Sequence, residues 1–186
     1  SPLHSNFPVG DAVAGLFCAF SIAAEMTRLR SDPEAPGVEV DLSATEALFR
    51  LLEPLAVEHE QLGQVRRPVG NRTTYTAPSN MYRSGDGVFF SLVASSPGTF
   101  SRLCQAVEQP DWITDPRFAT NPMRVQNMQA LDGALADWFK TRPYTEVQAR
   151  LEEHQIPFSK VYTIEDIEQD PHFKDREAII RLPDAD

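Results

Sequence analysis

Met81-Tyr82-Arg83-Ser84-Gly85-Asp86-Gly87-Val88-Phe89-Phe90-Ser91-Leu92-Val93 is the stretch that shows this chain is not all helix. Gly85-Asp86-Gly87 supplies residues that tolerate the backbone of a tight turn, and the segments 81–83 and 88–93 on either side favour strands. A hairpin is expected there, with the clearest β content in the chain. Downstream, apolar residues recur at helical spacing over 99–107, 124–140 and 145–153, with breaks at Pro110, Pro116, Pro122 and Pro143. The tail carries an expected strand at 158–161, a short helix after Thr163 and a last strand at 178–182.

Toward the amino end, residues 64–79 hold Arg66, Arg67, Pro68, Gly70, Asn71, Arg72 and threonines with few large apolar residues, which predicts a long loop. Long ordered loops are disproportionately functional. Gly70 beside Asn71 allows close backbone approach, and the loop's arginines suit an anionic ligand, although exposed arginines are the commoner explanation. Before the loop, Ser43-Ala44-Thr45-Glu46 has the form of a capping box. It opens a helix with Ala47, Leu48, Leu51, Leu52, Leu55 and Leu62 as its apolar stripe, ending near Gly63. Val38-Glu39-Val40-Asp41-Leu42 alternates as a short strand should.

A first helix is expected over 11–29, because Val13, Leu16, Phe17, Phe20, Ala23, Ala24 and Met26 recur at three- and four-residue spacing. Its wide apolar face predicts burial. Gly10-Asp11 stands at its mouth, and Asp11 has two readings. It caps the helix, accepting from the first free N–H groups, or it acts as a nucleophile held in one orientation beside those same donors. The local pattern supports both.

The 186 residues are 41% hydrophobic and 24% charged, as expected of a soluble globular protein of one or two small domains. A net charge of −10 argues against a nucleic-acid partner, which needs clustered Lys and Arg. Cys18 and Cys104 lie in apolar helical patterns and read as buried free thiols, hence a reducing, cytoplasmic setting. No apolar run is read as long enough to cross a bilayer, and Ser1-Pro2-Leu3-His4 lacks the design of a secretory signal, so no membrane partner is expected. The chain does not begin with Met, which suggests that the protein starts upstream.

A metal site is not expected: His4, His59, His154 and His172 are far apart, and two lone cysteines make no zinc cluster. A P-loop, a glycine-rich dinucleotide turn and a Gly-x-Ser-x-Gly elbow are also absent. His59, between Glu58 and Glu60, suits a solvated helix face, and His154 suits a helix end. Trp112 and Trp138 are expected to fill the core between helices, and Glu165-Asp166-Ile167-Glu168 to start a solvated helix.

Several segments together resemble the class III CoA-transferase family, also called the CaiB/BaiF or carnitine dehydratase-like family. They are Gly10-Asp11 with its helix, Gly37-Val38-Glu39-Val40-Asp41-Leu42-Ser43, Arg67-Pro68-Val69-Gly70-Asn71, and Ala77-Pro78 before the Asp86-Gly87 hairpin. Asp115-Pro116-Arg117-Phe118-Ala119-Thr120-Asn121, followed by Arg124-Val125, completes the series. No single segment is diagnostic, but the series covers nearly the whole chain, and its agreement in order and spacing is far more specific than any component.

The resemblance implies a mixed α+β (α/β) fold lacking the family's N-terminal nucleotide-fold half. Its parts would be a helix–strand–helix edge of the large domain (1–63), a linker and active-site loop (64–79), a small α+β domain (80–163) and the start of a return segment (164–186). It implies Asp11 as the catalytic carboxylate, with Gly70 and Asn71 in or beside the loop that closes over the site. Leu42 would lie near the thioester end of CoA. CoA would be a substrate, with no tightly bound cofactor. The partners would be an acyl-CoA, a carboxylic acid and a second copy in an interlocked homodimer. An α-methylacyl-CoA racemase of the same superfamily, in which the aspartate works with a histidine upstream of Ser1, and a catalytically silent structural or dimerising fragment are the alternative readings.

Overall fold

The structure, a computed structural model, describes residues 6–52 and 54–182. The chain folds as two compact units, one running to Pro68 and the other starting at Val69.

The first unit is helical: α1 (Val9–Ser31), α2 (Ala44–Arg50) and α3 (Leu55–Leu62). Ser43 caps α2, its hydroxyl accepting from the Glu46 N–H at 3.4 Å, which is the Ser43 half of the expected capping box; among the described residues the Glu46 carboxylate makes no return bond to the Ser43 N–H. The single helix expected from there to Gly63 is instead two. Pro54 offers no N–H and restricts the residue before it, and α2 closes with tight bonds from Leu51 N to Leu48 O and from Leu52 N to Phe49 O. Gly63, at φ +64°, ends α3 in a left-handed conformation, its N–H reaching His59 O at 2.9 Å.

Four further expectations for this unit are corrected. Residues 38–42 form no strand; a strand needs a paired neighbour, and the first unit offers none among the described residues. The wide apolar face of α1 is not buried: Leu16 and Phe20 are 73% and 74% exposed, because α2 is the helix that packs against α1 and it covers little of that face. By length and composition α1 is also long and apolar enough to cross a bilayer, contrary to the sequence reading, although core helices of soluble folds share those properties. Cys18, on α1, is accordingly half-buried rather than buried.

The second unit holds one antiparallel sheet, in the order β1 (Ser79–Arg83), β2 (Phe89–Val93), β3 (Phe158–Lys160). Register pairs Tyr82 with Phe90 and Phe90 with Lys160. Along β2, Phe90 and Leu92 are buried while Phe89 and Val93 face out, the alternation a one-sided sheet requires. Helices α4 (Pro97–Ala106), α5 (Asn121–Gln126), α6 (Met128–Phe139), α7 (Tyr144–Glu153), α8 (Ile164–Gln169) and α9 (Pro171–Asp175) accompany it, with a 3₁₀ turn at Pro110–Ile113. Leu103, Leu131, Leu135, Phe139, Val147 and Leu151 close over Phe90 and Leu92 to make the core. The Phe139 ring meets Phe90 edge-on at 5.0 Å and Tyr82 at 5.1 Å. Trp112 and Trp138 are half-buried against it.

The helix expected over 124–140 breaks at Asn127, whose side chain donates to Met123 O at 2.9 Å and to Arg117 O at 3.2 Å. The expected strand at 178–182 is absent from the sheet, since among the described residues β3 has no further paired neighbour. Thr163 and Asp166 form the reciprocal cap that opens α8.

The hairpin turn reaches beyond the sheet. The Gly85 N–H donates to Arg142 O at 2.7 Å, and a Cβ on Gly85 would stand 2.8 Å from Lys140 O and 3.1 Å from Arg142 O. The Asp86 carboxylate accepts the Tyr144 N–H at 3.0 Å, capping α7 from a distant segment. The Ser84 hydroxyl, and then that amide, hold the Asp86 carboxyl below the usual carboxylate range. Gly85→Ala is expected to cost about 1–3 kcal/mol in urea unfolding, because backbone carbonyls cannot move aside as a flexible side chain would. A depressed carboxyl adds stability that is complete above the ordinary carboxylate range and is lost as pH falls through the folded-state value. Asp86→Asn should therefore flatten the acid limb of the stability–pH curve and leave its shape above neutrality unchanged.

Candidate functional site

Asp11 is the third residue of α1, and Pro8 stands at the helix's N-cap with no side-chain cap. Asp11 therefore does not occupy the cap position. It lies in the first turn, exposed, where a carboxylate complements the helix dipole. The Val9 N–H is bonded to Phe7 O at 2.7 Å and the Ala12 N–H to Pro8 O at 3.0 Å. The N–H groups of Gly10 and Asp11 have no acceptor among the described residues. Gly10 lies against α2: a Cβ there would meet Leu48 Cδ1 at 3.4 Å. Leu42, 37% exposed, belongs to the irregular segment that leads into α2. Chemically this is an accessible carboxylate beside unoccupied amide donors, the elements of nucleophilic attack with oxyanion stabilisation.

Gly70 and Asn71 belong to the second unit, where both are exposed in a turn and Gly70 takes φ +76°. Of the loop arginines, Arg66 is engaged by Glu58, its Nε donating to Oε2 at 2.7 Å, which leaves it less suited to an anionic ligand than the sequence suggested. Arg72, immediately after Asn71, donates from Nε to Asp132 Oδ2 at 2.7 Å. Asp132, on α6, is only 4% exposed, and also accepts from Asn80 Nδ2 at 2.9 Å and Tyr82 OH at 2.8 Å. Burial, then the Asp132 charge, pushes the Tyr82 hydroxyl far above the ordinary phenol range, so it serves as a donor.

The far end of the same loop is tied down by Asn121. Its Nδ2 donates to Tyr75 O at 2.9 Å and its Oδ1 accepts from the Ala77 N–H at 3.1 Å, just before the cis Ala77–Pro78 bond. Arg124, 1% exposed, donates to Ala77 O at 2.8 Å, to Phe118 O at 2.9 Å and to Ser95 O, and its guanidinium lies 4.3 Å over the Phe100 ring. Residues 115–125 thus serve as a strap for this loop. Sequence reasoning singled out the loop but not its anchors, because Asp132 lies 60 residues from Arg72 and looks like any helix acid. Among the described residues no group of His, Cys, Asp or Glu could hold a metal ion. The Cys104 thiol is buried and pushed up to about 12 by desolvation, which suits a packing role. Asp132→Ala is expected to cost about 3 kcal/mol, since it leaves Arg72 without its counter-charge. Tyr82→Phe should cost about 1.5 kcal/mol. Urea unfolding of each variant measures both.

The model of CoA-transferase family III matches residues 1–186. A succinyl-CoA–D-citramalate CoA-transferase of Chloroflexus aurantiacus is 34% identical across 100% of this chain and 46% of its own length. A succinyl-CoA:mesaconate CoA-transferase of Haloarcula hispanica is 28% identical across 96% of this chain and 44% of its own. Among solved structures, a CaiB/BaiF family protein from Brucella suis superposes with TM-score 0.74 at 24% identity, covering 95% of this chain and 46% of that one. A hypothetical protein from Mycobacterium tuberculosis gives TM-score 0.77 at 21% identity, with 99% and 50% covered. These last two likenesses concern the fold. The chain spans less than half the length of the two CoA-transferases named above, and it belongs to CoA-transferase family III.

Proposed function

We propose that the full-length protein transfers CoA between an acyl-CoA and a carboxylic acid, with Asp11 as nucleophile. The observation that carries this reading is the family match along the whole chain, in which relatives are named as CoA-transferases. A carboxylate oxygen of Asp11 attacks the thioester carbonyl and the C–S bond breaks, leaving an aspartyl mixed anhydride and CoA thiolate. The thiolate attacks the aspartyl carbonyl, the donor acid leaves as carboxylate, and an aspartyl-CoA thioester remains. The acceptor carboxylate attacks that thioester, releasing thiolate. The thiolate then takes the acceptor's acyl carbon and frees Asp11. Each step exchanges one activated acyl bond for another, so the thioester's energy is conserved.

The N–H groups of Gly10 and Asp11 at the start of α1 are suited to receive the negative charge of the tetrahedral intermediates. In this reading Leu42 lies near the thioester end of CoA, Gly70-Asn71 belong to the loop that closes over the reacting groups, and the working form is a homodimer. The named relatives use succinyl-CoA, and a dicarboxylic acyl group is the substrate class this reading favours. Asp11→Asn in the intact protein should lower CoA transfer about 1,000-fold or more, as expected when a covalent nucleophile is removed. Mass spectrometry of wild type after brief incubation with succinyl-CoA should show an acyl or CoA adduct on Asp11. Full activity of Asp11→Asn, or deuterium entering the α-carbon without CoA exchange, would overturn the proposal.

A further inference from the structure

Thr120 and Asn121 divide two tasks at the start of α5. The Thr120 hydroxyl accepts from the Met123 N–H at 3.4 Å and caps the helix, a task that asparagine performs at least as well. The Asn121 side chain goes instead to the loop before β1. Its Nδ2 donates to Tyr75 O at 2.9 Å, while its Oδ1 accepts from the Ala77 N–H at 3.1 Å and from the Thr76 hydroxyl at 3.4 Å. A carboxamide presents donor and acceptor in one plane, so it grips a carbonyl and an amide two residues apart; Asp or Ala could keep at most one of these backbone contacts. The Thr73 hydroxyl donates to Thr76 O at 2.9 Å and closes the loop on itself, and Arg72 is bonded to Asp132. Among the described residues Val69, Gly70 and Asn71 make no hydrogen bond, so the nearest backbone held in place is the segment 72–77. The fold does not hang on Asn121, which is half-buried: the core closes around Phe90 and Phe139, and the buried Arg124 holds the Ala77 carbonyl independently.

We infer that Asn121 is a positioning residue for CoA transfer: through Tyr75 O and the Ala77 N–H it fixes the backbone to which Gly70-Asn71 are joined. The inference rests on the CoA-transferase reading above, in which Gly70-Asn71 belong to the loop that closes over the reacting groups. All the contacts it uses lie within the second unit. Asn121 acts through the loop and not by touching substrate. A misplacement of about 1 Å in groups that hold reactants in register costs up to about 100-fold in rate, so the loss falls on the chemical step rather than on acyl-CoA binding.

The test compares Asn121→Ala with Asn127→Ala in the intact protein, using succinyl-CoA as donor and acetate, butyrate, malate and mesaconate as acceptors. Asn127 is a matched control: it carries the same side chain a few residues on, and its bonds run to Met123 O and Arg117 O, neither in the loop. Asn121→Ala should lower kcat about 10- to 100-fold while the KM for succinyl-CoA changes less than about 2-fold. Hydrogen exchange in the peptide spanning 72–77 should quicken in the same variant. Asn127→Ala should leave kcat within about 2-fold of wild type and that exchange unchanged. Thr73→Val removes the Thr73–Thr76 bond from inside the loop and should lower kcat about 2- to 10-fold, which decides the matter where Asn121→Ala folds poorly. Unchanged kcat in Asn121→Ala or in Thr73→Val, or an equal loss in Asn121→Ala and Asn127→Ala, would overturn the inference in favour of a structural role. A rise in KM with kcat kept would overturn it in favour of a binding contact. Wild type that transfers CoA to none of these acids would overturn the CoA-transferase reading, which the Asp11 adduct tests separately, and the inference with it.

Discussion

The second unit is organised around charges taken out of water. Arg124 is buried with no acidic partner in hydrogen-bond contact among the described residues; carbonyl oxygens of Ala77, Ser95 and Phe118 and the face of Phe100 solvate it instead. Burial lowers its affinity for the proton, but a guanidinium stays charged throughout the physiological range. A buried cation can survive only if all these carbonyls are aimed at it together, so the loop before β1, the exit of β2 and the turn before α5 are fixed as a set. Asp132 repeats the arrangement with opposite sign, drawing donors from Arg72 in the loop and from Asn80 and Tyr82 on β1. Between them the two charges hold the segment 72–77 in one shape, and that segment sits directly after Gly70-Asn71.

How much of this was legible in the sequence follows the range of the interactions involved. Gly85-Asp86-Gly87, Ser43 before α2 and Thr163 before α8 act on neighbours within a few residues, and the turn and caps they signal are found. The splits at Pro54 and Asn127 are also local, but a continuous apolar stripe hides them, because hydrophobic spacing reports which face is covered and not whether the backbone ladder is unbroken. The segments 38–42 and 178–182 have strand-like composition without strand pairing; alternation states what a segment can do, and only a neighbouring edge lets it do so. Asp11 was visible as a carboxylate at a helix start, whereas the pairing of Arg72 with Asp132 depends on bringing α6 against β1 and could not be read from spacing.

The first unit shows the opposite balance. Leu16, Phe20, Met26 and Phe49 leave more than half of their surface in water, and α1 has no buried residue. An unpaired face of this kind has the composition of a core helix. The unit that carries Asp11 thus presents an apolar surface, in a chain that spans less than half the length of the two CoA-transferases named above.

The Asp86 contact couples two elements in time as well as in space. Tyr144 lies 58 residues beyond Asp86, yet the first turn of α7 draws its cap from the hairpin. Helix nucleation is the unfavourable step in forming a short helix, and a cap that arrives only after a long loop has closed cannot assist it early. The first turn of the ten-residue α7 therefore gains this cap only once the hairpin has closed. A local element is in this way tied to a distant one, in a unit whose other side-chain caps, Ser96, Thr120, Thr163 and Asp170, are supplied from next door.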